Sequence, residues 1–161
     1  MFLHSPTNEP TEIYVIADDG GNGEAETRAS TFAKIVLDHD VLTVFTSQEI
    51  WRDYTRAYYW RGPIQPVAYP LDPLSLANVV AQHEATSGLR SLVFNPSAVC
   101  DGRWMEPQIR IPARAYLRYI VGLMGGADET YAEGKRKVEE HFSGPEGRGM
   151  LLAWVAAQEK R

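Results

Sequence analysis

The chain has little of what stabilises secreted or membrane-embedded proteins. Its 161 residues include one cysteine, Cys100, so no intrachain disulfide can form, and a lone thiol is typical of a reducing compartment. No apolar run approaches the roughly 18 residues needed to span a bilayer. The first residues, MFLHSPTNEP, lack the basic start and long apolar centre of a signal peptide. We therefore expect a cytoplasmic location and no membrane insertion.

Basic residues are also few. Lys and Arg number 16 against 21 Asp and Glu, which gives a formal net charge of -5. Phosphate backbones are bound by clustered basic side chains, whereas the one dense cluster, Lys135–Lys137, is flanked by Glu133, Glu139 and Glu140. That mixture is typical of a solvated helix face. The composition therefore argues against a nucleic-acid partner.

Recognisable catalytic and metal-binding motifs are lacking. The histidines have neither H-x-x-x-H nor H-E-x-x-H spacing, and the serines lack the context of a nucleophile elbow. His39 lies between Asp38 and Asp40, where a polar turn is favoured over a metal or proton site. The segment Asp18–Arg28 is rich in glycine and carboxylates, but its spacing is not that of a calcium loop. A solvated loop is favoured there, with cation binding as the alternative, and we predict no catalytic residue, metal or cofactor.

Clear strand and helix patterns lie between positions 41 and 96. The run Val41–Phe45 predicts a strand, and it leads into the sequence TSQE, Thr46–Glu49, which has the pattern of a capping box. We predict that the Thr46 hydroxyl caps the helix that follows and that Phe45 and Ile50 form its hydrophobic staple. A strand therefore passes directly into a helix at this point.

A second strand–helix unit follows the first. Gln65–Tyr69 predicts a short strand, and Asp72-Pro73 has the N-cap and first-turn proline of a helix. Gly88 predicts the end of that helix, and Leu89–Phe94 predicts a strand that stops at Asn95-Pro96. Strands that alternate with helices in this way favour parallel crossovers.

The remaining patterns set the fold class. Glu12–Ala17 predicts an earlier strand, and Phe32–Leu37 and Val41–Phe45 predict a hairpin. Three helices follow Pro112, with Val121 among the apolar positions of the first and Tyr131 among the inward positions of the second. We predict one domain with a loose tail at 1–10, a sheet-rich part at 12–111 and a helical part at 112–161. The fold class is α/β, bordering on α+β: a mixed sheet of about five or six strands flanked by helices, with a helical C-terminal third.

Aromatic side chains are crowded on the first predicted helix. Five fall within ten residues, more than one buried face holds, and Tyr and Trp are typical anchors of protein interfaces. The candidate interaction surface comprises Trp51, Tyr54, Tyr58, Tyr59 and Trp60. The alternative is that the C-terminal helices cover these rings.

Arginines recur at intervals of four near the start of the C-terminal part. Arg110, Arg114 and Arg118 have the spacing of a stripe on one helix face. An exposed face is favoured there over an anion-binding stripe.

The sequence F-T-S-x-E at Phe45–Glu49, the early helical aromatic Trp51 and the strand end Asn95-Pro96 carry a family resemblance. Over residues 12–98 the chain resembles the N-terminal domain of the SseB family. The resemblance implies a bacterial, cytoplasmic α/β module that has no established enzymatic mechanism and works by binding protein. It implies no catalytic residue, and it does not extend to the helices after Pro112.

These observations predict a non-enzymatic protein-interaction module, such as an adaptor, an immunity-like protein or a secretion-associated factor, that binds a protein partner or itself. One alternative is a small-molecule-binding or small enzyme domain with its site at the carboxyl ends of the central strands, where open α/β sheets bind ligands. The candidate crevice residues are Thr46, Ser47, Asp72, Asn95 and Ser97. Another alternative is a regulatory domain that dimerises through its helical tail.

Overall fold

The computed structural model describes residues 11–18, 34–59, 62–96, 110–125 and 130–159. The predicted tail, the acidic segment after Asp18 and the loop around Cys100 lie outside these residues. The strands are β1 Ile13–Asp18, β2 Lys34–Ile35, β3 Val41–Val44, β4 Pro66–Leu71, β5 Ser91–Phe94 and β6 Arg110–Pro112. The helices are α1 Gln48–Tyr58, α2 Pro73–Ser87, α3 Ala113–Met124, α4 Tyr131–His141 and α5 Gly147–Glu159.

The strands form two three-stranded sheets, ordered β2-β1-β4 and β3-β5-β6. β1 pairs antiparallel with β4 along its whole length, β3 pairs parallel with β5, and β6 runs antiparallel to β5. A bridge joins the two sheets, because the backbones of Tyr14 and Phe45 exchange hydrogen bonds of 2.7 and 2.8 Å. The predicted fold class is confirmed, with the mixed strands divided between two bridged sheets and a helical C-terminal part.

Strand direction decides which residues share an edge. β4 runs antiparallel to β1, and β3 meets β1 antiparallel at the Tyr14–Phe45 bridge. β3, β4 and β5 therefore all point the same way. Their carboxyl ends lie at one edge of the bridged sheets, followed by Thr46, Asp72 and Asn95 respectively.

The predicted hairpin between Phe32–Leu37 and Val41–Phe45 is confined to its turn. Asp38 and Val41 exchange backbone hydrogen bonds of 2.8 and 3.0 Å. β2 then pairs with β1 and not with β3. The prediction of a longer hairpin was wrong because β1, which is distant in sequence, offers an edge to both strands.

The sheets carry an apolar core on each face, and β1 shows the alternation. Ile13 and Val15 belong to the larger core, which the side chains of α2, α3, α4 and α5 complete, whereas Ile16 belongs to a smaller core with Phe45 and Tyr54. Successive strand residues point to opposite faces, so α1 covers one face and the other four helices cover the opposite one.

Aromatic contacts join the C-terminal helices to the larger core. The ring of Tyr119 on α3 stacks on Trp154 of α5, with centroids 4.3 Å apart and planes 5° apart. The hydroxyl of the buried Tyr116 donates a hydrogen bond to the Pro73 carbonyl at 2.7 Å. Within the described residues, no helix has the length and apolarity to cross a membrane.

Candidate functional site

The carboxyl ends of β3 and β5 are tied together by side chains. The Thr46 amide donates to Asn95 Oδ1 at 2.9 Å, and Asn95 Nδ2 donates to Thr46 Oγ1 at 2.8 Å. Asn95 is in the left-handed region, with φ 49°, which Asn adopts more readily than most residues. Two of the five predicted crevice residues are therefore in contact, and their polar groups form hydrogen bonds with each other.

Ser47 and Asp72 serve as helix caps. The Ser47 hydroxyl accepts a hydrogen bond from the Ile50 amide at 3.4 Å, and Asp72 Oδ1 accepts one from the Ser75 amide at 2.7 Å. The prediction of Thr46 as the cap of α1 was wrong by one residue, because its hydroxyl is engaged by Asn95. The fifth crevice residue, Ser97, lies outside the described residues.

Asp72 lines a cavity of about 470 Å³ between the start of α2 and α4. Apolar side chains form part of its wall, and Arg136 on its lining donates to Glu140 at 2.6 Å. Among the described residues, neither Thr46 nor Asn95 belongs to this lining. Of the four predicted crevice residues that the structure describes, Thr46 and Asn95 therefore pair at the strand ends, Ser47 caps α1, and Asp72 lines a separate cavity.

The aromatic residues of α1 pack onto the sheet. Tyr54 is buried, with its ring centroid 5.4 Å from Phe45 and 4.8 Å from Tyr58. Trp51 is half-buried, and its indole N–H donates to the Val15 carbonyl at 3.2 Å. Tyr58 and Tyr59 are half-buried in the same cluster, so three of the described aromatic residues, Trp51 included, are partly exposed. Trp60 is not among the described residues, and the predicted interaction surface stays a prediction.

Burial changes the acidity of the α1 tyrosines. Removal from water, with a smaller contribution from neighbouring Tyr59 and Asp38, raises the pKa of Tyr54. Burial and then the negative charge of Asp38 likewise raise the pKa of Tyr59. Both phenols therefore stay protonated at neutral pH.

The outer face of α3 is the side of the helix that stays exposed when only the described residues are considered. Arg114, Arg118, Val121 and Gly122 are exposed, and their spacing places them on one contiguous stripe. Val121 is 57% exposed, although it is one of the apolar positions of the helix pattern. Tyr116 and Ile120 fill the buried side of the helix instead.

Tyr131, the first residue of α4, was predicted to point inward. It is 61% exposed. Gly134 and Val138, one and two turns further along the helix, are buried and form its inward side. The spacing does place Tyr131 on the same side as Gly134 and Val138, but Tyr131 is the first residue of the helix, and the described residues leave it uncovered there, so the prediction was wrong.

An arginine groove of about 520 Å³ adjoins the first half of this face. Its charged residues are Glu84, Arg90, Arg114 and Arg118, and Gly88, Leu89 and Pro112 complete the lining. Arg114 Nε donates to Glu84 Oε2 at 3.0 Å. In the described part of the chain, neither Arg90 nor Arg118 forms an ion pair, so the groove has excess positive charge in a protein of net charge -5.

The spacing in the sequence predicted only two of the three arginines in this groove. Arg114 and Arg118 share a face of α3, but Arg110 belongs to β6. Arg90 was missed because nothing near it in sequence marks it. Its place beside α3 depends on the β5–β6 pairing, where the Ala113 amide donates to the Arg90 carbonyl at 2.8 Å.

Metal-ligating side chains do not form a cluster within the described residues. Among them, no group of three or more His, Cys, Asp or Glu side chains is arranged to hold a metal ion. His39 is 94% exposed and lies 3.7 Å from Asp38 in the turn before β3. This geometry is that of the solvated polar turn favoured from the sequence.

Comparisons with protein-family models, with curated protein sequences and with solved structures found no match.

Proposed function

We propose that this protein is a non-enzymatic module that binds a segment of a partner polypeptide on the outer face of α3. The observation that carries the proposal is the continuity between an exposed apolar position and a cationic groove on one helix. Val121 and Gly122, which has no side chain, offer a surface for apolar contact. Arg118 and Arg114, one and two turns away respectively, offer charge-assisted hydrogen bonds.

Interface chemistry supports this choice of surface. Arginine is enriched in protein interfaces and at their energetic hot spots. A Cβ built on Gly122 would meet no heavy atom within 4 Å, so a partner can approach this stretch of helix closely. The aromatic residues of α1, by contrast, are engaged by the sheet through Tyr54 and Trp51.

Two further observations support a binding role in the cytoplasm. The resemblance of residues 12–98 to the SseB family, which has no established enzymatic mechanism, favours binding over catalysis. The single cysteine, Cys100, favours a reducing compartment. We accordingly include an SseB-like, cytoplasmic adaptor role in the proposal.

Selection from a random-peptide display library on the full-length protein tests the docking surface. Wild-type protein is expected to enrich a set of peptides that Val121→Asp no longer enriches. Ala57→Asp, at an exposed position of α1 on the opposite face of the sheet, is the control and should enrich the wild-type set. Both changes are at exposed positions and should shift stability by no more than about 1 kcal/mol. Enrichment that is absent, or unaffected by Val121→Asp, overturns the proposal.

A second candidate function is small-molecule binding in the cavity beside Asp72. Its volume of about 470 Å³ is within the range of ligand sites, and it lies at the carboxyl end of β4. Asp72→Asn removes the charge but keeps a good helix cap. Compounds that raise the Tm of the wild-type protein and not of Asp72→Asn would support this candidate, and a fragment screen without such compounds would exclude it.

A further inference from the structure

We propose that the arginine groove recognises an acidic peptide, with carboxylates at alternate positions and an apolar residue beside them. This inference rests on the proposed function, since the groove and the outer face of α3 share Arg114 and Arg118. It adds the chemistry of the partner. The groove collects three guanidinium groups and one carboxylate, whereas the chain as a whole is acidic.

The spacing of the arginines fits an extended peptide. Residues four apart on a helix have Cβ atoms about 6 Å apart, which describes Arg114 and Arg118. Alternate side chains of an extended strand lie on one side, about 7 Å apart. Two glutamates separated by one residue can therefore reach both guanidinium groups, and the next residue on that side meets Val121.

Glu84 competes for the same groove. Its carboxylate already accepts the Arg114 Nε–H at 3.0 Å and is 27% exposed, while the Arg114 side chain is 75% exposed. A partner carboxylate must therefore share Arg114 with Glu84 and can engage Arg90 and Arg118 without such competition. Replacing Glu84 by Gln should strengthen acidic-peptide binding.

A peptide is favoured over a nucleic acid because of overall charge. A protein of net charge -5 repels a long polyanion at the range of the Debye length. A short peptide with a few carboxylates interacts chiefly with the groove. The two ligands are separated in the test by a single-stranded thymidine oligonucleotide as competitor.

Fluorescence anisotropy of a labelled peptide, E-A-E-A-L-A-E-A-E, with the full-length protein tests the inference. The sequence is the same in both directions, so it does not presuppose the polarity of binding. Wild type is expected to bind it more tightly than the peptide with every E replaced by Q, with the difference shrinking as salt is added. Arg90→Gln and Arg118→Gln should each weaken binding about fivefold, Glu84→Gln should strengthen it, and Arg52→Gln on α1 should leave it unchanged.

Three results overturn the inference: equal binding of the two peptides, unchanged binding after both Arg90→Gln and Arg118→Gln, or displacement of the peptide by the oligonucleotide at lower concentration than by unlabelled acidic peptide. These outcomes are separable from failure of the proposed function. If display selection enriches Val121-dependent peptides that are not acidic, the docking surface stands and only the acidic preference is wrong. If no peptide is enriched, the docking surface itself is wrong.

Discussion

Thr46 and Asn95 exchange two hydrogen bonds that join the carboxyl ends of β3 and β5, at 2.9 and 2.8 Å. The contact gives a structural role to the two sequence elements that most resemble a functional motif. Thr46 lies in the F-T-S-x-E stretch and Asn95 in the N-P strand end. Their side chains consolidate a parallel strand pair and leave Ser47 to cap α1. This physical role requires no reaction at the strand ends.

The Thr46–Asn95 contact should be worth measurable stability. Asn95→Gly keeps the left-handed backbone accessible and removes the amide, and it should lower the free energy of unfolding by about 2 kcal/mol because the Thr46 amide loses its acceptor. Asn95→Ala should cost about 1 kcal/mol more, since φ is 49°. Urea denaturation measures both. Equal stability of Asn95→Ala and wild type would exclude this role.

Substitutions of Thr46 test the second hydrogen bond, which Asn95 Nδ2 donates to the Thr46 hydroxyl. Thr46→Ser keeps the acceptor for Asn95 Nδ2, whereas Thr46→Val keeps the shape and removes the acceptor. We expect Thr46→Val, which is close to the wild type in volume, to be less stable than the wild type by about 1 kcal/mol, a difference that should vanish in the Asn95→Gly background. A difference that persists there would show that the hydroxyl acts elsewhere.

Gly147 and Gly149 offer a matched pair at the start of α5. A Cβ on Gly147 would overlap the Phe142 carbonyl and the Thr11 hydroxyl, whereas one on Gly149 would meet no heavy atom within 4 Å. Gly147→Ala should therefore destabilise the protein by about 2 kcal/mol or more. Gly149→Ala should stabilise it by about 0.5 kcal/mol through helix propensity. Thermal unfolding of both variants shows whether each substitution lowers or raises the stability. A stabilised Gly147→Ala would contradict the packing of α5.

Tyr116 should make stability fall at alkaline pH. Burial, with lesser contributions from Tyr119 and Asp72, raises the pKa of Tyr116 well above its usual value. Its contribution is therefore fully present below the unfolded-state pKa of about 10 and is lost as pH rises from there through the folded-state pKa. Tyr116→Phe should cost about 1 kcal/mol at neutral pH through the lost bond to Pro73 and should flatten the decline above pH 10. An unchanged alkaline slope in urea titrations would contradict this assignment.

The smaller core depends on Tyr54. Tyr54→Ala should lower the free energy of unfolding by about 3 kcal/mol or more, because the ring is buried between Phe45 and its aromatic neighbours. Arg52→Ala, at an exposed position on the same helix, should change stability by no more than about 0.5 kcal/mol. Guanidinium denaturation of the two variants shows whether Tyr54 anchors α1 to the sheet. Similar stabilities would show that α1 is not held by the sheet.

Local chemistry made much of the fold predictable. Asp72-Pro73 and Gly88 mark the two ends of α2 in the structure as they do in the sequence, because caps and left-handed glycines act within a few residues. Pairing between distant strands was less accessible. β1 takes β2 and β4 as neighbours and bridges to β3, and nothing local specifies that choice.

The candidate surface was less predictable than the fold for a related reason. The exposed state of Val121 follows from which other α3 residues fill the core, and the position of Arg90 follows from strand pairing. The helix cap of α1 was mispredicted for the same reason, because Thr46 binds Asn95, which is 49 residues away in the sequence. Spacing along the chain identified the helical arginines Arg114 and Arg118 and could not identify what faces them.

Amide chemical-shift mapping of the ¹⁵N-labelled protein with the acidic peptide tests the central claim most directly. The account predicts concentration-dependent shifts at Arg90, Arg114, Arg118, Val121 and Gly122, with the amides of α1 unchanged. Shifts confined to Trp51–Tyr59 or to the cavity beside Asp72 would contradict it and would move the binding surface to one of the other candidate positions.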